Sequence, residues 1–189
     1  RLRFPWARTM LCVASFHESS SAGERGRDLV AHVARYARGR DYHLVFQRRL
    51  KKLARALAAA KLCRRARWYA DTGPVLERAW AAAAGLGFIG KNACLIHPRH
   101  GSYLVLGEIL LDVEAQPDRP LPDRCGRCRR CLDACPTGAL AAPRILDASR
   151  CLSTWSIEMK NQRLPSVRAG AARWAAGCDT CQEACPFNA

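Results

Sequence analysis

No run of apolar residues in this 189-residue chain approaches the roughly 20 needed to span a bilayer, and the opening from Arg1 contains no apolar signal-peptide core. The first absence excludes an apolar membrane-spanning helix in the sequence as written. Together the two set the expectation of a cytoplasmic, reducing compartment and no membrane partner. Acidic residues are scarce: 16 Asp and Glu face 31 Lys and Arg, a formal net charge of +15. The deficit argues against a cationic partner and for a polyanionic one. An even set of cysteines is also lacking, so the eleven thiols cannot all be consumed in disulfides within one chain. With 49% hydrophobic and 25% charged residues, the chain can bury a core and is not intrinsically disordered. The start at Arg1 rather than Met sets the expectation of an internal piece of a longer protein.

Charge and cysteine are distributed in opposite senses. Residues 1–70 hold 17 Lys and Arg against 4 Asp and Glu, whereas residues 71–189 hold 14 against 12. Only Cys12 and Cys63 precede residue 70; the other nine thiols follow it. Met10 to Phe16 reads as a buried strand and Ser19 to Gly26 as a polar loop. From Asp41 to Ala60, the positions Leu44, Val45, Leu50, Leu53, Ala54 and Leu57 approach a 3.6-residue period. Arg48, Arg49, Lys51, Lys52 and Arg55 surround them, which predicts an amphipathic helix with a basic face. Arg67 to Ala70 reads as a strand delivering Asp71, and a helix is expected from Pro74 through Ala84 with Gly85 at its exit. Leu86 to Ile96 and Tyr103 to Val113 are β-prone, with a turn from Pro98 to Gly101. Pro117, Pro120 and Pro122 suggest a linker and a domain boundary near residue 120.

Cys125, Cys128, Cys131 and Cys135 form C-x2-C-x2-C-x3-C followed by Pro136, the bacterial ferredoxin spacing for a 4Fe-4S cluster. Three thiolates reach one cluster from a tight loop, and in two-cluster proteins the fourth ligates the other cluster. Cys178, Cys181 and Cys185-Pro186 repeat the ending with one ligand fewer, and Cys151 between the two runs supplies the count. Cys12, Cys63 and Cys94 are then ordinary buried thiols. Paired structural zinc sites are the alternative, but three cysteines at successive x2 spacing, closed by x3-Cys-Pro, favour iron-sulfur. Gly85, Gly87 and Gly90 mimic a dinucleotide fingerprint, with Glu108 at the acidic position. That fingerprint requires a strand before and a helix after, the reverse of the pattern here.

The combination resembles the tRNA epoxyqueuosine reductases, cobalamin-dependent iron-sulfur proteins. The resemblance lies in Ala34 to His43 (ARYARGRDYH), Asp71 to Arg78 (DTGPVLER), Gly85 to Asn92 (GLGFIGKN), Gly101-Ser102, Leu106 to Ile109 (LGEI) and Gly177 to Asn188 (GCDTCQEACPFN). It implies an α+β chain: an α/β cobalamin-binding domain over residues 1–120, then a bacterial-ferredoxin-like domain with two 4Fe-4S clusters over 121–189. It implies one cluster on Cys125, Cys128, Cys131 and Cys185, and another on Cys135, Cys151, Cys178 and Cys181. It implies Asp71 as proton donor at the cobalamin site, buried there so that its carboxyl is un-ionised when it acts; helix capping is the competing role. Lys91, Asn92, Leu95 and Ser153 are the corrin contacts expected from it. The implied reaction reduces epoxyqueuosine to queuosine at the tRNA wobble position, a step of queuosine biosynthesis. The implied partners are that tRNA and an external flavodoxin- or ferredoxin-type electron donor, with a monomeric enzyme. Arg35, Arg38, Arg40 and the basic helix face are candidate phosphate contacts. A reductive dehalogenase, or a non-catalytic electron-carrying ferredoxin domain, are the competing classes.

Overall fold

The structure is a computed structural model that describes residues 3–17, 32–159 and 174–188. In chain order its strands and α-helices are β1 (Thr9–Phe16), β2 (His32–Val33), α1 (Tyr42–Ala59), β3 (Ala66–Tyr69), α2 (Glu77–Ala83), β4 (Phe88–Ile89), β5 (Leu95–Ile96) and β6 (Leu104–Leu111). Then come α3 (Arg130–Ala134), β7 (Leu140–Ala142), β8 (Ile145–Leu146), α4 (Leu152–Ile157), β9 (Trp174–Ala176) and α5 (Thr180–Glu183). The polar loop expected over Ser19 to Gly26 lies outside the described residues. Among the described residues no helix is long and apolar enough to cross a membrane.

The chain divides into two compact units. The first comprises residues 1–16, 41–88 and 104–122, and the second 17–40, 89–103 and 123–189. The units are therefore not the two successive blocks expected from composition. The linker prolines mark one border, at Pro122, but residues 17–40 and 89–103 lie with the cysteine-rich part. Tertiary hydrogen bonds explain this: Arg35 N–H donates to the Asp179 carboxylate at 2.7 Å, and Ser102 N–H to Asn188 Oδ1 at 2.6 Å. β2 pairs in parallel with β9. None of these partners is within 80 residues in sequence, so no local pattern announces them.

In the first unit the sheet order is β1-β6-β3, with β6 antiparallel to both neighbours. β1 and β3 consequently run parallel, so β1-α1-β3 is a crossover unit with β6 inserted between its strands. Helix α1 starts where Asp41 accepts the His43 N–H at 2.9 Å, the capping expected of an Asp. Its buried stripe is Phe46, Leu50 and Ala54, spaced four residues apart. Leu44 and Leu53, expected to face inward, are exposed, because the i, i+4, i+8 row that meets the sheet runs through Phe46 instead. With Cys63, Ala70, Ile109 and Leu111 that stripe forms the core; full burial of each large side chain is worth about 2 kcal/mol. Gly107 permits the close approach: a Cβ there would lie 2.7 Å from Leu50 Cδ1 and 2.9 Å from the Tyr69 carbonyl oxygen.

Helix α2 begins at Glu77, not Pro74, and its N-cap position is Leu76. The Asp71 to Val75 segment is instead turn, with Asp71 itself at φ +62°. Capping by Asp71 is thereby excluded.

Candidate functional site

The second unit carries the thiol-rich site. α3 bears Cys131 and ends at Cys135, Cys151 precedes α4, and Cys181 lies in α5. Gly177, before Cys178, has φ +68°, and a Cβ there would stand 2.4 Å from Ala34 Cβ. Only glycine allows this turn. A cavity of about 270 Å³ is bordered by Cys125, Cys128, Cys131 and Cys185, with Lys91, Asn92 and Ile96 among the other lining residues. Four thiols on one small cavity are a donor set suited to a cuboidal iron-sulfur cluster, one thiolate to each iron. Among the described residues no three His, Cys, Asp or Glu side chains converge as they would around a single ion.

The thiols sense one another electrostatically. Burial, then Cys181, Cys185 and Cys125, pushes Cys131 up to about 11. Burial likewise raises Cys178 to about 11, with Cys181 and Cys151 among its neighbours. Cys181 is raised by a hydrogen bond with Cys94, then by burial and by Cys135. Burial also raises Cys135, but the Leu140 N–H and the Thr137 hydroxyl outweigh it, and the net shift is downward. Cys181 is thus electrostatically coupled to Cys135 as well as to Cys131. Cys94, read as an ordinary buried thiol, instead adjoins Cys181; no spacing rule includes it, so nothing in the sequence could have flagged it.

Lys91 Nζ donates to the carbonyls of Gly126 and Cys128, at 2.7 and 2.8 Å, tying the first cysteine loop to the 89–103 segment. Its ammonium is thus spent on the loop. Leu95 and Asn92 are buried within this unit, and Ser153 is partly buried on α4. The arginines expected at phosphate have structural partners: Arg35 stacks on Tyr103 at 4.1 Å, and Arg38 Nε donates to the Val33 carbonyl at 2.7 Å. Arg40 and the Arg48, Arg49, Lys51, Lys52 and Arg55 face of α1 are exposed.

The first unit carries an acid-rich site. His43 Nε2 lies 2.8 Å from Asp71 Oδ2, and His43 Nδ1 lies 2.8 Å from Asp41 Oδ1. The Asp71 side chain is 53% exposed, not buried as expected. Its backbone N–H donates to Glu77 Oε1. Burial lowers the His43 pKa, but hydrogen bonds to Asp71 and Asp41 outweigh it and the net shift is upward. Glu108, fully buried on β6, is raised to about 8 by burial and then by Glu77. His43 was not among the expected site residues, yet it is the side chain that meets Asp71. Its signal was the D-x-H of Asp41-Tyr42-His43, but its partner Asp71 is 28 residues away.

The fold and thiol set define the class first: residues 124–188 match the model of the 4Fe-4S double cluster binding domain. Residues 1–72 match the model described as Epoxyqueuosine reductase QueG, DUF1730. The epoxyqueuosine reductase of Gloeobacter violaceus is 48% identical over 186 residues, covering 97% of this chain and 57% of that protein. That of a Synechocystis strain is 42% identical over 189 residues, covering 97% and 64%. The crystal structure of an epoxyqueuosine reductase with a tRNA-Tyr epoxyqueuosine-modified tRNA stem loop superposes with a TM-score of 0.85 at 34% identity, over 99% of this chain and 50% of that one. The enzyme from Streptococcus thermophilus gives a TM-score of 0.83 at 34% identity, over 99% and 51%. The chain belongs to the epoxyqueuosine reductase family. It spans between half and two thirds of the length of these relatives.

Proposed function

We propose that this chain supplies the electron-relay and proton-donating parts of an enzyme that reduces epoxyqueuosine to queuosine in tRNA. The reading rests above all on the shared cavity of Cys125, Cys128, Cys131 and Cys185 in a chain of this family. These four hold one 4Fe-4S cluster; Cys135, Cys151, Cys178 and Cys181 hold the other. Mutual influence among those second thiols supports the assignment. The clusters carry electrons singly from a flavodoxin- or ferredoxin-type donor. The substrate tRNA is that named for the solved relative, and the enzyme acts as a cytoplasmic monomer.

Removing the epoxide oxygen consumes two electrons and two protons and releases water. Cobalamin, when bound, would supply the low-potential metal at which the carbon-oxygen bond is reduced. The described side chains fit it in part. In the first unit the Asp71 carboxyl is accessible. In the second, Lys91 is engaged and Asn92 and Leu95 are buried, so this loop would hold a corrin by its backbone. Ser153 is the remaining contact.

Asp71 delivers the proton to the departing oxygen. A donor must hold a proton at neutral pH. His43 Nε2, 2.8 Å from Oδ2, is a proton source for it, and Asp41 on Nδ1 orients the ring and favours its charged form. The Glu77 carboxylate grips the Asp71 N–H and holds the left-handed backbone that presents the side chain. Basic α1 residues contact the tRNA backbone, and the single-stranded anticodon loop presents the base. In the full-length protein, Asp71→Asn is expected to abolish conversion of epoxyqueuosine in tRNA while leaving iron and sulfide content unchanged. Normal turnover by that variant would refute the donor role.

A further inference from the structure

We propose that the Asn92 side-chain amide donates an N–H···S hydrogen bond to the cluster held by Cys125, Cys128, Cys131 and Cys185, and so raises that cluster's reduction potential. The inference rests on the cluster reading of the cavity and adds a residue that tunes it.

Asn92 is only 4% exposed and borders the cavity with the four cysteines. Its Oδ1 accepts the Cys94 N–H at 3.2 Å. That bond decides which end of the amide is which, since the reversed assignment would set an NH2 group against an N–H. Nδ2 is then buried and, among the described residues, has no hydrogen-bond partner. A buried amide nitrogen with no acceptor is uncommon in native proteins and calls for a ligand or another explanation. The cavity lining narrows the choice. Ile96, Pro186 and Phe187 are apolar, Lys91 and Arg124 are donors, and the remaining side chains are the four cysteines. Sulfur is the only acceptor that these side chains, or a cluster seated on them, can offer.

The Asn92 side chain is held rigidly. Gly90 N–H donates to the Cys94 carbonyl at 2.9 Å and Ala93 N–H to the Gly90 carbonyl at 3.0 Å, closing a tight turn around Asn92. A Cβ on Gly90 would meet Asn92 Oδ1 at 2.8 Å and Ile96 Cδ1 at 2.3 Å, so glycine there makes room for this arrangement. Lys91, the preceding residue, fastens the same turn to the carbonyls of Gly126 and Cys128. One dipeptide thus clamps the cysteine loop through its first residue and supplies, with its second, a buried donor on the cavity that the four cysteines border.

The direction of the effect follows from charge. Reduction adds one electron to the cluster, and a hydrogen-bond donor to its sulfurs stabilises the more negative form more strongly. The potential rises with the bond and falls without it.

The test uses the full chain loaded anaerobically with iron and sulfide, labelled with 15N at asparagine, reduced, and studied by pulsed electron paramagnetic resonance. A side-chain 15N coupling to a cluster is expected in the wild type. In Asn92→Leu it should disappear, with iron and sulfide content retained and one cluster's midpoint shifted to a more negative potential. A wild-type cluster signal with no asparagine coupling, or a coupling and potential unchanged in Asn92→Leu, overturns the proposal and leaves the cluster reading standing. If Asn92→Leu fails to assemble, the wild-type coupling alone decides. Failure of the cluster reading has its own signature: a wild-type chain that binds iron or zinc as isolated ions and gives no cluster signal, in which case the inference falls with it.

Discussion

Replacing Glu108 by Gln should remove a pH-dependent load on the first unit. Glu108 is fully buried on β6, faces Glu77, and has its pKa raised from 4.5 to about 8 by burial and then by that neighbour. In the folded chain it therefore keeps its proton at pH 7, while in the unfolded chain it has lost it. The native state binds more protons over this range, so stability falls as pH rises from about 4.5 toward about 8. At about 1.4 kcal/mol per unit, moving from about pH 5.5 to about pH 7.5 costs on the order of 2 kcal/mol through this residue. Glutamine cannot titrate, and whatever its extra buried N–H groups cost is the same at both pH values. The assay is urea unfolding followed by far-ultraviolet circular dichroism, with wild type and Glu108→Gln loaded with iron and sulfide alike. The free-energy difference between them should shift in the variant's favour by on the order of 2 kcal/mol between those two pH values. A difference independent of pH would refute the assignment of a raised, protonated Glu108.

Gly107→Ala should destabilise the first unit by about 1–3 kcal/mol, because the new methyl meets the Tyr69 carbonyl and Phe46 as well as the movable end of Leu50; thermal unfolding reads this directly. His43→Phe in the full-length enzyme should lower turnover by about tenfold or more with little change in KM for tRNA. The acidic partners raise the His43 pKa, so the native contacts that favour its charged form are fully present below its ordinary value of 6.5 and are lost as pH rises through the raised one. Wild-type stability should fall more steeply across that window than that of His43→Phe, and parallel curves would count against the Asp41-His43-Asp71 arrangement. Lys91→Met should loosen the Cys125 to Cys128 loop by roughly 1–2 kcal/mol, and air bleaching of the cluster chromophore should quicken several-fold.

Much of the first unit was legible in its amino acids. Strand β1, helix α1 with Asp41 ahead of it, and strands β3 and β6 lie within a residue or two of the expected bounds. Their signals are local: alternation or continuity of apolar residues, a 3.6-residue period, and a capping side chain. The errors arose where a local rule had more than one solution. Leu44 and Leu53 satisfy the helical period as well as Phe46 does, and only the sheet's position selects the row through Phe46. Pro74 can open a helix or sit in a turn. The hold of Glu77 on the Asp71 N–H, six residues earlier, accompanies the second outcome, and the helix begins three residues after Pro74.

The sequence by itself determined the chemistry available: the thiol spacings, the acid in Asp-Thr-Gly-Pro, and a basic first segment. These are covalent and short-range properties, complete before folding. Tertiary structure alone decided which groups meet. It brought Cys185 to the cavity of Cys125, Cys128 and Cys131, set Cys94 against Cys181, and placed His43 on Asp71. It also drew residues 17–40 and 89–103 into the cysteine-rich unit, where Asn92 lies buried beside four sulfurs. The physical reason is that a hydrogen bond or a metal-ligand contact depends on distances of about 3 Å in space, while separation along the chain leaves those distances open until the core has packed.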